Sequence, residues 1–121
     1  MSFKIGFMQG RLVDSEKKNS IQYFPEKNWP SEFKIGKKIN LKIIEWTINS
    51  ENLHKNPLYN GKLDNVIKMI KKYKIKVPSI TFDYFMQEPF FKKKNQKNKE
   101  AILNILKKII TNGNKINVKY Y

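Results

Sequence analysis

A chain of 121 residues with 40% hydrophobic and 13% aromatic residues has the material for one packed domain and lacks the low hydrophobicity of a disordered one. It contains no cysteine, which excludes disulfides and thiolate metal sites. No apolar run approaches the ~20 residues of a membrane span and no basic-then-apolar leader opens it, so a cytoplasmic protein with no membrane partner is expected.

The first element predicted is a buried strand over residues 3–8, FKIGFM. It ends in Gln9, Gly10 and Arg11, an odd close for a strand unless its C-terminal end faces something. Residues 30–40 read as a helix, with Pro30 suited to a first helical position. A second strand follows at 42–46, KIIEW. Residues 62–73 form a second helix, with Leu63, Val66, Ile67 and Ile70 on one face and lysines opposite. A third strand covers 76–82, KVPSITF, where Pro78 is anomalous because proline removes a ladder donor. A third helix spans 96–111 with Ile102, Ile105, Leu106 and Ile109 as its apolar stripe, and the tail 116–121 has strand character.

The order is therefore β-α-β-α-β-α-β, which implies parallel strands joined by right-handed crossovers. Two architectures fit: a small open doubly wound sheet, or the first part of an eight-stranded barrel, whose full length is about 250 residues. No glycine-rich phosphate loop follows the first strand, which weakens a nucleotide-binding open sheet. The strand-to-helix loops are long (9–29, 47–61 and 83–95) and the opposite loops are short. That asymmetry marks the strand C-termini as the functional end.

The residues at that end are the candidates. Arg11 suits a phosphate or carboxylate, or an ion pair with Asp14 or Glu16. Glu45, closing the second strand, suits a sugar hydroxyl or the orientation of a catalytic group, or else a lysine partner. Asp83 holds the matching place after the third strand, with a turn cap as its plain alternative. Trp46, Tyr84 and Phe85 are suited to wall a sugar ring, or to pack. His54, the only histidine, has no second ligand at metal spacing, and the lysines at 92–94 read as a solvated face.

The net charge of +15 invites a basic binding module for nucleic acid or another polyanion as the alternative function. Yet 24 of the 25 basic residues are lysine and one is arginine. A surface shaped for phosphate and base contacts draws on the arginine fork. Abundant lysine, asparagine and isoleucine together point to AT-rich codon usage instead, which weighs against specific nucleic-acid binding.

Four strings taken in order go further: IGFMQGRL (5–12), FPEKNWPSEFKIGKKINLKIIEWTI (24–48), NPLY (56–59) and IKVPSITFDYFMQEPF (75–90). Together they resemble the N-terminal half of the sugar phosphate isomerase/epimerase family, whose fold is the xylose-isomerase-like barrel related to the endonuclease IV proteins. Asn40 stands where such proteins commonly have glycine, and asparagine also accepts positive φ. The resemblance implies an α/β fold, a partial (β/α)8 TIM barrel of about three and a half βα units, over a single domain 1–121 that is truncated relative to the family. It implies metal-assisted interconversion of a small sugar or sugar phosphate. The family's divalent metal (Mn, Mg, Co or Zn) is held by Glu, Asp and His residues of the second half, so no metal ligand is assigned here and the chain alone is expected to be inactive. The positions that match the pocket wall are Gln9, Arg11, Glu45, Trp46, Asp83 and Tyr84, as substrate contacts. A barrel begun but not closed is expected to leave Ile5, Phe7, Ile44 and Ile80 partly uncovered, and to call for an oligomer or a complementing C-terminal half.

Overall fold

The computed structural model describes residues 4–14, 23–84 and 96–121. Glu16, Phe85 and the lysines at 92–94 lie outside these segments. The described elements run β1 (Gly6–Met8), α1 (Trp29–Lys38), β2 (Ile43–Ile48), a 3-10 turn (Leu53–Lys55), α2 (Pro57–Asn60), α3 (Asp64–Tyr73), β3 (Lys76–Phe82) and α4 (Gln96–Lys115). The three strands form one parallel sheet in the order β1-β2-β3. Each connection steps to the next neighbour without reversal, so the helices gather in a single layer. Trp29 and Phe33 of α1, Val66 of α3 and Ile109 of α4 share one apolar core with Ile44, Trp46, Ile48 and Ile80 of the strands.

The C-terminal segment takes the next place in the sheet. Lys119 and Tyr120 donate backbone N–H to Pro78 O at 2.8 and 3.0 Å, and Ile80 N–H donates to Tyr120 O at 3.0 Å. The bridge between Ser79 and Tyr120 is parallel, so the strand character expected over 116–121 is realised as one rung. Pro78 falls where the β2–β3 register slips by one residue: Ile43 faces Lys76, but Glu45 faces Ser79. A bulge tolerates a missing ladder donor, which resolves the anomaly.

Helix ends follow the local chemistry. Asn40 and Asn117 adopt φ of 64° and 65°. Leu41 N–H reaches Gly36 O at 2.8 Å and Asn40 N–H reaches Lys37 O at 3.1 Å, the paired bonds that close a helix on a left-handed residue. Val118 and Asn117 repeat the pattern on Gly113 and Asn114 at 3.0 and 3.3 Å. The end of α3 instead places Lys74 at φ 54°, where a β-carbon is penalised. Lys74→Gly is therefore expected to stabilise the chain by about 0.5–1 kcal/mol, read as an upward shift of the urea midpoint at unchanged slope. A lower midpoint would contradict it.

Two differences from the sequence reading are physical. Helix α4, expected to end at residue 111, runs on through Asn112 and Gly113 to Lys115, because Asn112 is buried and its side chain donates to Leu58 O at 2.8 Å and Tyr59 O at 3.4 Å. That contact pins α4 to the C-terminal carbonyls of α2, a helix the sequence did not suggest. Second, Ile44 and Ile80 are buried under the helices, not uncovered. Phe7 packs against the same core, and a β-carbon on Gly36 of α1 would lie 2.9 Å from its ring. Of the four residues expected to be partly uncovered, Ile5 is exposed, at 63%, and Phe7 is half-buried. Strands of parallel sheets are apolar on both faces, so alternation alone does not reveal which face meets the helices.

Candidate functional site at the strand C-termini

The Gln9-Gly10-Arg11 turn explains how β1 ends. Gln9 N–H continues the ladder to Glu45 O at 2.9 Å. Its side chain then adds a rung where the backbone turns away: Gln9 Oε1 accepts Thr47 N–H at 3.0 Å. The long amide thus stands in for the carbonyl a longer strand would have supplied, and it is fully buried. Gly10 sits at φ 93°, with Tyr23 O only 2.6 Å from where a β-carbon would be, so both conformation and space demand glycine.

The turn is held from across the chain by Glu32, in the first turn of α1 and fully buried. Gly10 N–H lies 2.9 Å from each carboxylate oxygen, and Leu12 N–H donates to Oε2 at 3.1 Å. Burial pushes the Glu32 carboxyl up from its usual 4.5, against the pull of backbone N–H groups of Gly10, Leu12 and Arg11. Sequence reasoning missed Glu32. The signal was its place in the string at 24–48, from which it fastens the turn inside the string at 5–12.

The helix-free face of the sheet carries Gly6 and Met8 of β1, Ile43, Glu45 and Thr47 of β2, and Ser79 and Thr81 of β3, as the pairings of Met8 with Glu45, Glu45 with Ser79 and Thr47 with Thr81 require. Thr81 Oγ1 donates to Glu45 Oε1. A shallow groove of about 190 Å³ runs beside this pair, lined by Gly6, Phe7, Met8, Ile43, Glu45 and Ser79. Asp83 follows directly on β3, and burial raises its carboxyl above its usual 3.8. Asp83 thus closes its strand as expected, whereas Glu45 does not: β2 runs on to Ile48 and leaves Glu45 in mid-strand. Glu45 accepts from a hydroxyl, and Asp83 is inclined to keep its proton to higher pH.

The other predicted residues have different places. Trp46 is fully buried on the helix side, its ring 5.7 Å from Phe24 and 5.4 Å from Trp29, so it packs the core. Alternation makes this unavoidable: a strand that shows Glu45 to the open face turns Trp46 to the other. Gln9 braces the backbone and Tyr84 packs against the core. Arg11 is exposed, and among the described residues no ion pair joins it to Asp14. His54 is exposed and edge-on to Tyr59 at 5.5 Å.

No protein-family model matches the chain, and no curated protein matches it. Among the described residues no three His, Cys, Asp or Glu side chains gather to hold a metal ion, and no helix is long and apolar enough to cross a membrane. Exposed lysines stand on α1 (Lys34, Lys37, Lys38), α3 (Lys68, Lys71, Lys72) and α4 (Lys107, Lys108), spread over the outer surface of the helix layer.

Proposed function

We propose that residues 1–121 build the first βα units of a xylose-isomerase-like (β/α)8 barrel, in a sugar phosphate isomerase/epimerase-like protein. In this reading Glu45, Thr81 and Asp83 stand on the wall of its small-molecule site. The observation that carries the reading is the Glu45–Thr81 hydrogen bond between adjacent parallel strands, on the face the helices leave open. The strand order supports it: a barrel needs consecutive neighbours with all helices outside, whereas a doubly wound sheet reverses its order. In a barrel the open face becomes the interior and ligands enter at the strand C-termini.

The chemistry of these groups suits a polyhydroxylated ligand. Thr81 orients the Glu45 carboxylate, which then accepts from a ligand hydroxyl, and Asp83 offers a proton above the pH at which free aspartate has lost it. Trp46 and Gln9 act behind this wall, one in the core and one on the strand backbone. The reading assigns no metal ligand to residues 1–121 and routes no step through a metal. The strands that close the barrel come from outside these residues, from a complementing C-terminal half or another copy.

The test is a titration of the isotope-labelled chain with D-fructose 6-phosphate and D-xylose. Saturable shifts are expected at the amides of Glu45, Thr81 and Asp83, with no turnover when Mn²⁺, Mg²⁺, Co²⁺ or Zn²⁺ is added. Absence of shifts at these three positions would remove the proposed wall, and metal-dependent turnover would show that the chain needs no further strands.

A further inference from the structure

Three lysines stand apart from those on the outer surface of the helix layer. Lys4, Lys76 and Lys119 come from distant parts of the chain and line one cavity of about 540 Å³. It lies at the N-terminal end of the sheet, where Ile43 and Lys76 begin β2 and β3. Strand pairing brings the three together. Lys4 stands two residues before Gly6, Gly6 pairs with Ile43, and Ile43 pairs with Lys76. Lys119 N–H reaches Pro78 O, two residues beyond Lys76, at 2.8 Å. The inner lining is apolar: Val77 and Ile116 are buried there, and Ile43 and Ile70 are half-buried. The lysines are exposed and form the outer rim. No aspartate or glutamate among the described residues lines the cavity, and no ion pair among them takes up any of the three lysines.

A cleft lined by charge of one sign over low-dielectric walls concentrates the opposite ion. Two requirements define that ion. Its head is compact and strongly charged: lysine binds phosphate as a point charge on a flexible four-carbon stem, and a phosphate monoester carries close to two negative charges at pH 7. Its body is apolar, because the side chains of Ile43, Ile70, Val77 and Ile116 offer no hydrogen bond. A sugar phosphate would leave its hydroxyls unmet against them. A nucleic-acid strand calls for an extended groove with aromatic platforms, whereas a cavity of this volume suits a small molecule. We propose that Lys4, Lys76 and Lys119 hold the phosphate of a small aryl or alkyl phosphate monoester, whose apolar body rests on Ile43, Ile70, Val77 and Ile116. This is a second site, at the end of the sheet away from Asp83, and it does not rest on the function proposed above.

The isotope-labelled chain is titrated with 1-naphthyl phosphate, and separately with inorganic phosphate and with 1-naphthol. Saturable shifts are expected at the amides of Lys76, Val77, Ile116 and Lys119, with an affinity roughly tenfold or more above that for either half of the ligand alone. Lys76→Gln combined with Lys119→Gln is expected to weaken binding roughly 3–10-fold. Lys34→Gln combined with Lys37→Gln, which removes the same charge from the exposed side of α1, leaves it unchanged. Equal weakening by the two pairs of substitutions would show that net charge alone attracts the anion. Equal affinity for inorganic phosphate or for 1-naphthol would show that one half of the cavity contributes nothing. Either result overturns the proposal. Shifts confined to Glu45, Thr81 and Asp83 would place the ligand at the other site, and the absence of any saturable shift would remove this one.

Discussion

Asn56→Ala is expected to destabilise the chain by about 3 kcal/mol, because one buried amide makes three hydrogen bonds that join β2 to α2. Its Oδ1 accepts from Trp46 Nε1 at 2.9 Å and caps α2 by accepting Leu58 N–H at 3.1 Å, while its Nδ2 donates to Thr47 O at 2.9 Å. Alanine would leave the Trp46 indole N–H unpaired in the core, orphan a helix N-terminal amide and free a strand carbonyl. The loss of a cap is worth about 1 kcal/mol and each buried orphan about 1–3 kcal/mol. Urea unfolding followed by tryptophan fluorescence reads the effect, and Asn56→Ser, which restores only a cap, is expected to recover about 1 kcal/mol. An alanine variant within 0.5 kcal/mol of the native chain, the range of an ordinary surface substitution, would show that these bonds are replaced by others.

Glu32→Ala is expected to cost a similar amount, about 3 kcal/mol, since the amides of Gly10 and Leu12 lose a buried carboxylate at once. Its second effect is on the turn: with Gly10 released, the Gln9 side chain no longer meets Thr47 from a fixed backbone, so the amide of Thr47 should exchange with solvent faster than in the native chain. The carboxyl also sets a pH dependence. Its folded value lies above the usual 4.5, so its contribution to stability is full below pH 4.5 and is lost as the pH rises through the folded value. Against Glu32→Gln, whose amide does not titrate, the native chain should lose relative stability as the pH rises above 4.5. A stability difference that stays flat or rises as the pH climbs above 4.5 would contradict the assignment.

Much of the fold was legible because periodicity reports burial. The strand at 76–82 and the stripe of α3 through Leu63, Val66, Ile67 and Ile70 follow directly from apolar spacing. The short α2 was not legible by that route, since four residues carry no period; its signal was Asn56 before Pro57, a capping residue ahead of a first-position proline. Asn40 announced its left-handed cap, but Lys74 did not, because nothing local distinguishes it from the other lysines. Of the site, Asp83 was visible as an acid closing its strand, and Glu45 as an acid of β2, although β2 runs three residues beyond it to Ile48. Glu32 and Asn56 were not, since their worth lies in partners 20 or more residues away for one and 9 or 10 for the other. Trp46 and Gln9 were placed at the correct end of the sheet, yet one-residue alternation and a ladder bond, both tertiary facts, decide that they brace it.

The extra residue at Pro78 has a consequence for what the third strand delivers. Were Lys76–Phe82 in phase with β2 throughout, Pro78 would lie beside Glu45 and Ile80 beside Thr47 on the open face, while Ser79 and Thr81 would be driven into the core next to Trp46 and Ile48. The slip between Ile43 and Glu45 exchanges the two sets. Below it the strand presents Val77 to the helices; above it, Ile80 and Phe82 keep that role and the hydroxyls of Ser79 and Thr81 come to the carboxylate. The strand is thus spliced from two half-strands of opposite parity, and the polarity of the sheet's far end is a matter of counting: one residue more or fewer before Ser79 converts a hydroxyl-lined surface into a greasy one and a dry core into a wet one.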